Sequence, residues 1–186
     1  LDETNLDLKQ DGTVEVDFGN DGPGEICATG DFLSSGSMTN DTLSSGGIPV
    51  EISSTETGYQ GTVNGNVVFT FTIDPQTGDY NYTQVLPFDH ADGTDANDVI
   101  TLNFGIKATD ADGDTVDTTV TITVADDAPL GIDPETNSVD ESDLSPATSV
   151  AGTINADFGN DGAGSITGSG TSIIGKLSSN GNPVNV

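Results

Sequence analysis

Apolar and polar residues alternate along this chain in short runs, the period of a β-strand whose two faces meet different surroundings. In "DADGDTVDTTVTITVADDAP" at 110–129, Val116, Val120, Ile122 and Val124 fall on one face and Asp117, Thr119, Thr121 and Thr123 on the other. Ile100, Leu102, Phe104, Ile106 and Ala108 make the longest alternating face and are expected to pair antiparallel with that run. Phe69, Phe71 and Ile73 alternate, "DPQTG" follows at 74–78, and Tyr80 and Tyr82 alternate after it. This is a hairpin pattern, since proline presets φ early in a turn and glycine accepts a positive φ later in it. Val14, Val16 and Phe18 predict a further strand, and 48–54 and 58–63 carry less regular strand patterns. No stretch keeps a 3.6-residue apolar period. Seven or so short strands separated by turns predict an all-β fold, an immunoglobulin-like or cadherin-like β-sandwich.

The chain also repeats itself. "LDETNL" at 1–6 recurs as "VDESDL" at 139–144, and "DFGNDGPGEI" at 17–26 as "DFGNDGAGSI" at 157–166. "LSSGGIPVEI" at 43–52 recurs as "LSSNGNPVNV" at 177–186. A tandem repeat is the reading: a complete module over 1–137 and the N-terminal part of a second, incomplete one over 138–186. The second is expected to be cut short at the end of the chain or split by an inserted domain.

Composition adds one strong constraint. The 186 residues hold 31 Asp and Glu against 3 Lys and Arg, a formal charge of −28, with 32% hydrophobic residues and no Trp. A compact state with that charge repels itself unless cations bind. Nucleic acid is a poor partner for so acidic a surface, and so is an anionic membrane face. Full disorder is the simplest alternative for such a composition, but the alternating strands and turn residues argue against it. Cys27 is alone and forms no intrachain disulfide. No run approaches the ~18 apolar residues of a membrane helix.

The acids are not scattered. Asp110, Asp112 and Asp114 stand before one strand, and Asp126 and Asp127 follow it. Clustered carboxylates on bendable loops suit Ca²⁺, which takes six to eight oxygen ligands. "DADGDT" is not an EF-hand loop, because Thr115 and Thr121 stand where that loop needs Gly and Glu. A solvated turn explains it without metal. Asp126 and Asp127 precede the second copy, so an ion there is expected to recruit its leading acids Asp140 and Glu141, the counterparts of Asp2 and Glu3. Such a site fixes the angle between modules that a bare linker leaves free. "DFGNDG" offers Asp17, Asn20 and Asp21, then Asp157, Asn160 and Asp161, although turn chemistry accounts for Asn, Asp and Gly there equally well. Asp89, Asp92, Asp95 and Asp98 do not stand apart from an ordinary solvated loop.

Catalysis has little to rest on. With this many acids close carboxylate pairs are inevitable, so a glycosidase-like pair carries no information. His90 is the only histidine and lies in no nucleophile motif. One Cys and one His do not make a zinc site.

The ordered series "DFGNDGPG", "GIPV", "VFTFTIDPQTGDYNYT", "PFDH", "DADGDT" and "VADDAP" resembles the tandem extender repeats of giant RTX adhesins, bacterial surface proteins exported by type I secretion. "VADDAP" is also similar to the interdomain calcium motif of cadherins. The resemblance implies immunoglobulin-like modules with Ca²⁺ at their junctions, forming a stiff monomeric rod at the cell surface. That rod projects a distal ligand-binding domain for adhesion or biofilm formation. It also implies folding outside the cell, where calcium is abundant. The competing expectation is a calcium-dependent module that itself grips glycan or protein, through a calcium site with open coordination or an exposed aromatic platform. Tyr59, Tyr80 and Tyr82 are on offer for the latter, but two of them fit a hairpin face better.

Overall fold

A computed structural model describes residues 1–4, 6–92, 95, 97–127, 129, 131–133, 135–140, 149–160, 162, 164–168 and 178–184. Ten strands belong to the first copy. They are β1 (Leu8–Thr13), β2 (Pro23–Gly36), β3 (Ser44–Ser45), β4 (Ile48–Pro49) and β5 (Glu51–Thr55). β6 (Gly58–Val63), β7 (Asn66–Ile73), β8 (Asp79–Gln84), β9 (Val99–Asp110) and β10 (Thr115–Ala125) follow. Five strands form one antiparallel sheet in the order β1-β8-β7-β6-β5, and three form the other in the order β10-β9-β2.

The inner faces of the two sheets close one core, and this is a β-sandwich. Val68, Phe69, Phe71, Tyr82, Ile100, Leu102, Phe104, Ile106 and Val124 are fully buried. Phe104 of one sheet stacks on Phe71 of the other, with centroids 4.4 Å apart and planes within 13°. Burying side chains of this size supplies about 1.5–3 kcal/mol each. That is how a chain with few apolar residues reaches a closed core.

β9 pairs antiparallel with β10 as expected, in a register that sets Val120 opposite Phe104 and Ile122 opposite Leu102. Val120, Ile122 and Val124 are buried, while Val116 remains exposed beyond the edge of the core. The β7–β8 hairpin also forms as its pattern predicts. Asp74 Oδ1 accepts from Gln76 N at 2.8 Å and Thr77 N at 3.2 Å, and Gly78 takes φ +75°.

Two elements differ from expectation. Val14, Val16 and Phe18 form no strand but pack half-buried against the core, and the polar run just before them, β1, makes the strand. β1 earns its place by pairing along all six residues of β8, with Gly12 beneath the Tyr80 ring where any Cβ would collide. The longest strand, β2, has no clean alternation because its pairing with β9 shifts register between Ala28 and Phe32. A bulge of this kind breaks the period of two that marks a strand in sequence.

The repeat is visible in the backbone. Ser44 pairs with Pro49 across Gly46 and Gly47, and Ser178 of β13 (Ser178–Ser179) pairs with Pro183 of β14 (Asn182–Pro183) across Asn180 and Gly181. All four turn residues have positive φ, between 51° and 78°, as a two-residue hairpin of the primed type requires. Before this hairpin, β11 (Gly131–Ile132) pairs with β12 (Ala156–Asp157).

The sandwich has two ends that matter below. At its apex the β9–β10 turn meets the 17–22 loop, where Ala111 N donates to Gly22 O at 3.3 Å. At its base the other end of β10 meets the first residues of the chain, Asp2 bridging Ala125 and Glu3 N donating to Ala125 O at 3.0 Å.

Candidate metal centres at the two ends of the sandwich

The base gathers acids away from water. Glu3, Asp126 and Asp127 are 0%, 5% and 6% exposed, and the side chains of His90 and Asp98 are 1% and 10% exposed. Glu3 is carried in by its pairing beside β10. Asp126 and Asp127 are carried in as β10 ends, Asp126 N donating to Asp98 O at 3.1 Å. His90 arrives through a bridge between its backbone and Met38.

One oxygen of Glu3 is held by protein donors. Phe88 N donates to Oε1 at 3.0 Å, and Gln84 Nε2 donates to the same atom. Gln84 is aimed by Tyr82, whose buried hydroxyl donates to Gln84 Oε1 at 3.0 Å. Burial, and then the charge of Glu3, hold the Tyr82 hydroxyl well above the usual tyrosine value. The other Glu3 oxygen lies 3.6 Å from His90 Nε2, and His90 Nδ1 lies 2.8 Å from Asp98 Oδ1. Asp98 Oδ2 accepts from Ser37 Oγ and from Asp92 N, the latter at 3.2 Å.

Glu3, His90 and Asp126 each bring a ligand atom to within 4.8 Å of the others. Burial raises the Asp126 carboxyl above its ordinary value; His90 opposes this, and the charges of Asp98 and Asp127 add to it. The imidazole of His90 lies beside two of this group of four carboxylates, Glu3 and Asp98. Buried carboxylates call for a counter-charge, and a divalent cation fits the donor set.

Contact from the second copy also arrives at the base. Asn160 N donates to Asp127 Oδ2 at 2.6 Å, and Asn160 Nδ2 donates to Glu3 O at 2.7 Å. Gly159, at φ +73°, lies so close to the Asp127 carboxylate that no Cβ could stand there. The contact described here thus comes from the "DFGN" segment, whereas the sequence pointed to the leading acids. Asp140 is exposed; Glu141 and Asp161 lie outside the described residues.

The apex holds the second cluster, with Asp21, Asp110 and Asp112 placing ligand atoms within 4.8 Å of one another. Asp110 Oδ1 accepts from Gly113 N at 2.9 Å and Asp114 N at 2.8 Å, with Gly113 at φ +104°. Burial pushes the Asp110 carboxyl up, but hydrogen bonds from Asp112 and from these backbone groups outweigh it and leave it below its ordinary value. Asp17 and Asp114 do not join the cluster; both line a neighbouring cleft of about 150 Å³ with Val16, Phe18 and Val116. Asp17 and Asp157 have a turn role, accepting from Gly19 N at 2.9 Å and Gly159 N at 3.1 Å.

Three residues of the base group escaped sequence reasoning: His90, Asp98 and Gln84. His90 follows Phe88, which is buried, and Asp98 directly precedes β9. Those positions were the available signals. Asp89 has a structural task, its two oxygens accepting from Gly46 N and Gly47 N at 2.8 Å each. The tyrosine platform does not exist, since Tyr59 and Tyr82 are buried and Tyr80 stacks on Phe71 at 5.5 Å.

Fold and clusters define a class: an all-β module with a cluster of acids at each of the two ends of one sandwich. The chain belongs to the family described as a domain of unknown function, DUF5801, whose family model matches residues 1–123. Comparison with curated proteins and with solved structures gave no match.

Proposed function

We propose that this chain is a structural extender module of a bacterial surface adhesin of the RTX kind, an immunoglobulin-like sandwich stiffened by Ca²⁺ where one copy meets the next. One observation carries the reading. Asp126, Asp127 and Glu3 are buried together at the base, at the point where Asn160 of the second copy docks. A cation held there by Glu3 and Asp126, with Asp98 and Asp127 beside it, would neutralise the base and fix the angle of the following copy. Calcium suits oxygen donors on irregular loops better than Mg²⁺, which demands near-ideal octahedral geometry and gives up water reluctantly. The Asp21–Asp110–Asp112 cluster is a second, more exposed place for an ion.

The module's work is therefore reach and orientation, outside the cell, for a ligand-binding region elsewhere in its protein. The competing reading, a module that grips glycan or protein, loses its aromatic platform to the core. Small-angle X-ray scattering of the chain in EDTA and in millimolar Ca²⁺ tests the proposal. The expected result is a narrower distance distribution with Ca²⁺, lost in Asp127→Asn. A profile identical in both conditions would overturn the stiffening role.

A further inference from the structure

The 17–22 loop of the first copy and the 157–162 segment of the second share the sequence "DFGNDG". Their described residues share backbone features too. Gly19 and Gly159 have φ of +65° and +73°, Gly22 and Gly162 of +84° and +91°. In each, the leading Asp accepts from the glycine two residues on. They differ in what they touch. Gly159 and Asn160 are half-buried against Asp127 and Glu3, whereas Gly19 and Asn20 are exposed, with nothing within 4 Å of where a Gly19 Cβ would stand.

We propose that the Asp17–Gly22 loop is a docking surface for the base of a preceding copy of this module. Its partner's chemistry is specified by the contact already present: Asn20 N would donate to the carboxylate matching Asp127, and Asn20 Nδ2 to the carbonyl matching Glu3. The position in the fold agrees. This loop sits at the apex and Glu3 and Asp127 at the base, so a single contact propagates head to tail along the sandwich axis. A neutral amide adds no charge to the contact between two acidic modules, whose facing carboxylates then need a shared cation to offset their repulsion. The loop is already folded into its docking conformation, which lowers the ordering cost of association. Docking also brings the Asp21–Asp110–Asp112 cluster, one residue on from Asn20, toward the preceding base acids. The two clusters then become halves of one interface.

The inference rests on the junction reading above and is tested separately from it. Among the described residues the buried core runs from Ile26 to Val124, and the hydrophobics packed against it begin at Leu1, so an added first copy carries its own core. The full chain is extended by a further copy of residues 1–138 ahead of Leu1, which keeps the repeat spacing of the head motifs. Amide hydrogen exchange is read at Asn20 and Asn160 in Ca²⁺. In the unextended chain Asn160 is expected to be protected and Asn20 fast. In the extended chain Asn20 should slow by about tenfold or more, and Asp127→Asn in the added copy should reverse this. Protection at Asn160 with Asn20 still fast would overturn the docking surface while leaving the junction standing. Fast exchange at both would overturn both.

Discussion

Replacing Asp126 by Asn separates a metal-binding carboxylate from a merely structural one, because the two roles predict opposite signs without cation. The side chain keeps its shape, and its Oδ1 can still accept from Asp127 N, a bond of 2.9 Å. What it loses is charge, in a group whose ligand atoms all lie within 4.8 Å. At that separation two carboxylates repel by about 3 kcal/mol at an effective dielectric constant near 20, and His90 beside Asp126 offsets part of this. Removing the Asp126 charge should therefore stabilise the cation-free protein by about 1 kcal/mol, a rise of about 2–4 °C in Tm for a chain this long. With Ca²⁺ the sign reverses. An ion at 100-fold excess over its Kd stabilises the native state by about 2.7 kcal/mol, or about 5–11 °C, and Asp126→Asn should lose most of that gain. The assay is a thermal melt of both proteins in EDTA and in millimolar Ca²⁺. Equal destabilisation by Asp126→Asn in both conditions would refute the reasoning, because the carboxylate would then act through hydrogen bonds alone.

Other outcomes follow from single contacts. Phe104→Ala removes the ring that stacks on Phe71 and should cost about 3–5 kcal/mol, read as a lower denaturation midpoint. Gly12→Ala puts a methyl into the Tyr80 ring and should cost about 1–3 kcal/mol by overpacking, measured in the same way. Gly159→Ala should speed exchange of the Asn160 amide while leaving the Tm of the sandwich unchanged, since the atoms nearest to its Cβ are those of the Asp127 carboxylate. The pH dependence in EDTA should carry opposing contributions. Asp126, raised in the folded state, contributes stability that is full below its unfolded pKa near 4 and lost as pH rises through its folded value. Asp2 and Asp79 are lowered, chiefly by side-chain hydrogen bonds from Thr4 and Thr13, and contribute stability above that pKa that is lost on acidification. Urea denaturation across pH 3–7 should show the Asp126 contribution vanish in Asp126→Asn.

The sequence announces those parts of the fold whose physics is local. β9 and β10 alternate cleanly because each has one face on the core and one toward solvent, and the β7–β8 turn is written in Asp74, Pro75 and Gly78. β1 is not announced, because its polar residues form a strand only when β8 stands beside them. β2 is hidden by its bulge. The candidate site divides the same way. Asp126, Asp127 and the 110–114 acids are dense enough in sequence to be noticed, and Glu3 is marked by the repeated "DE". His90 and Asp98 are not, since an isolated histidine and one acid among many gain meaning only when the sandwich closes around them. Asn160 stands out in sequence only as an oxygen donor or turn residue of the repeated "DFGNDG"; that it makes the described contacts between the copies shows only once the chain is folded.

The central claim is that the buried acids bind a divalent cation, and isothermal titration calorimetry of Ca²⁺ into the cation-stripped chain tests it most directly, with Mg²⁺ titrated in parallel. Saturable Ca²⁺ binding, weaker for Mg²⁺ and diminished in Asp126→Asn, is the predicted result. No saturable heat with Ca²⁺, or equal binding of both ions by both proteins, would contradict the account.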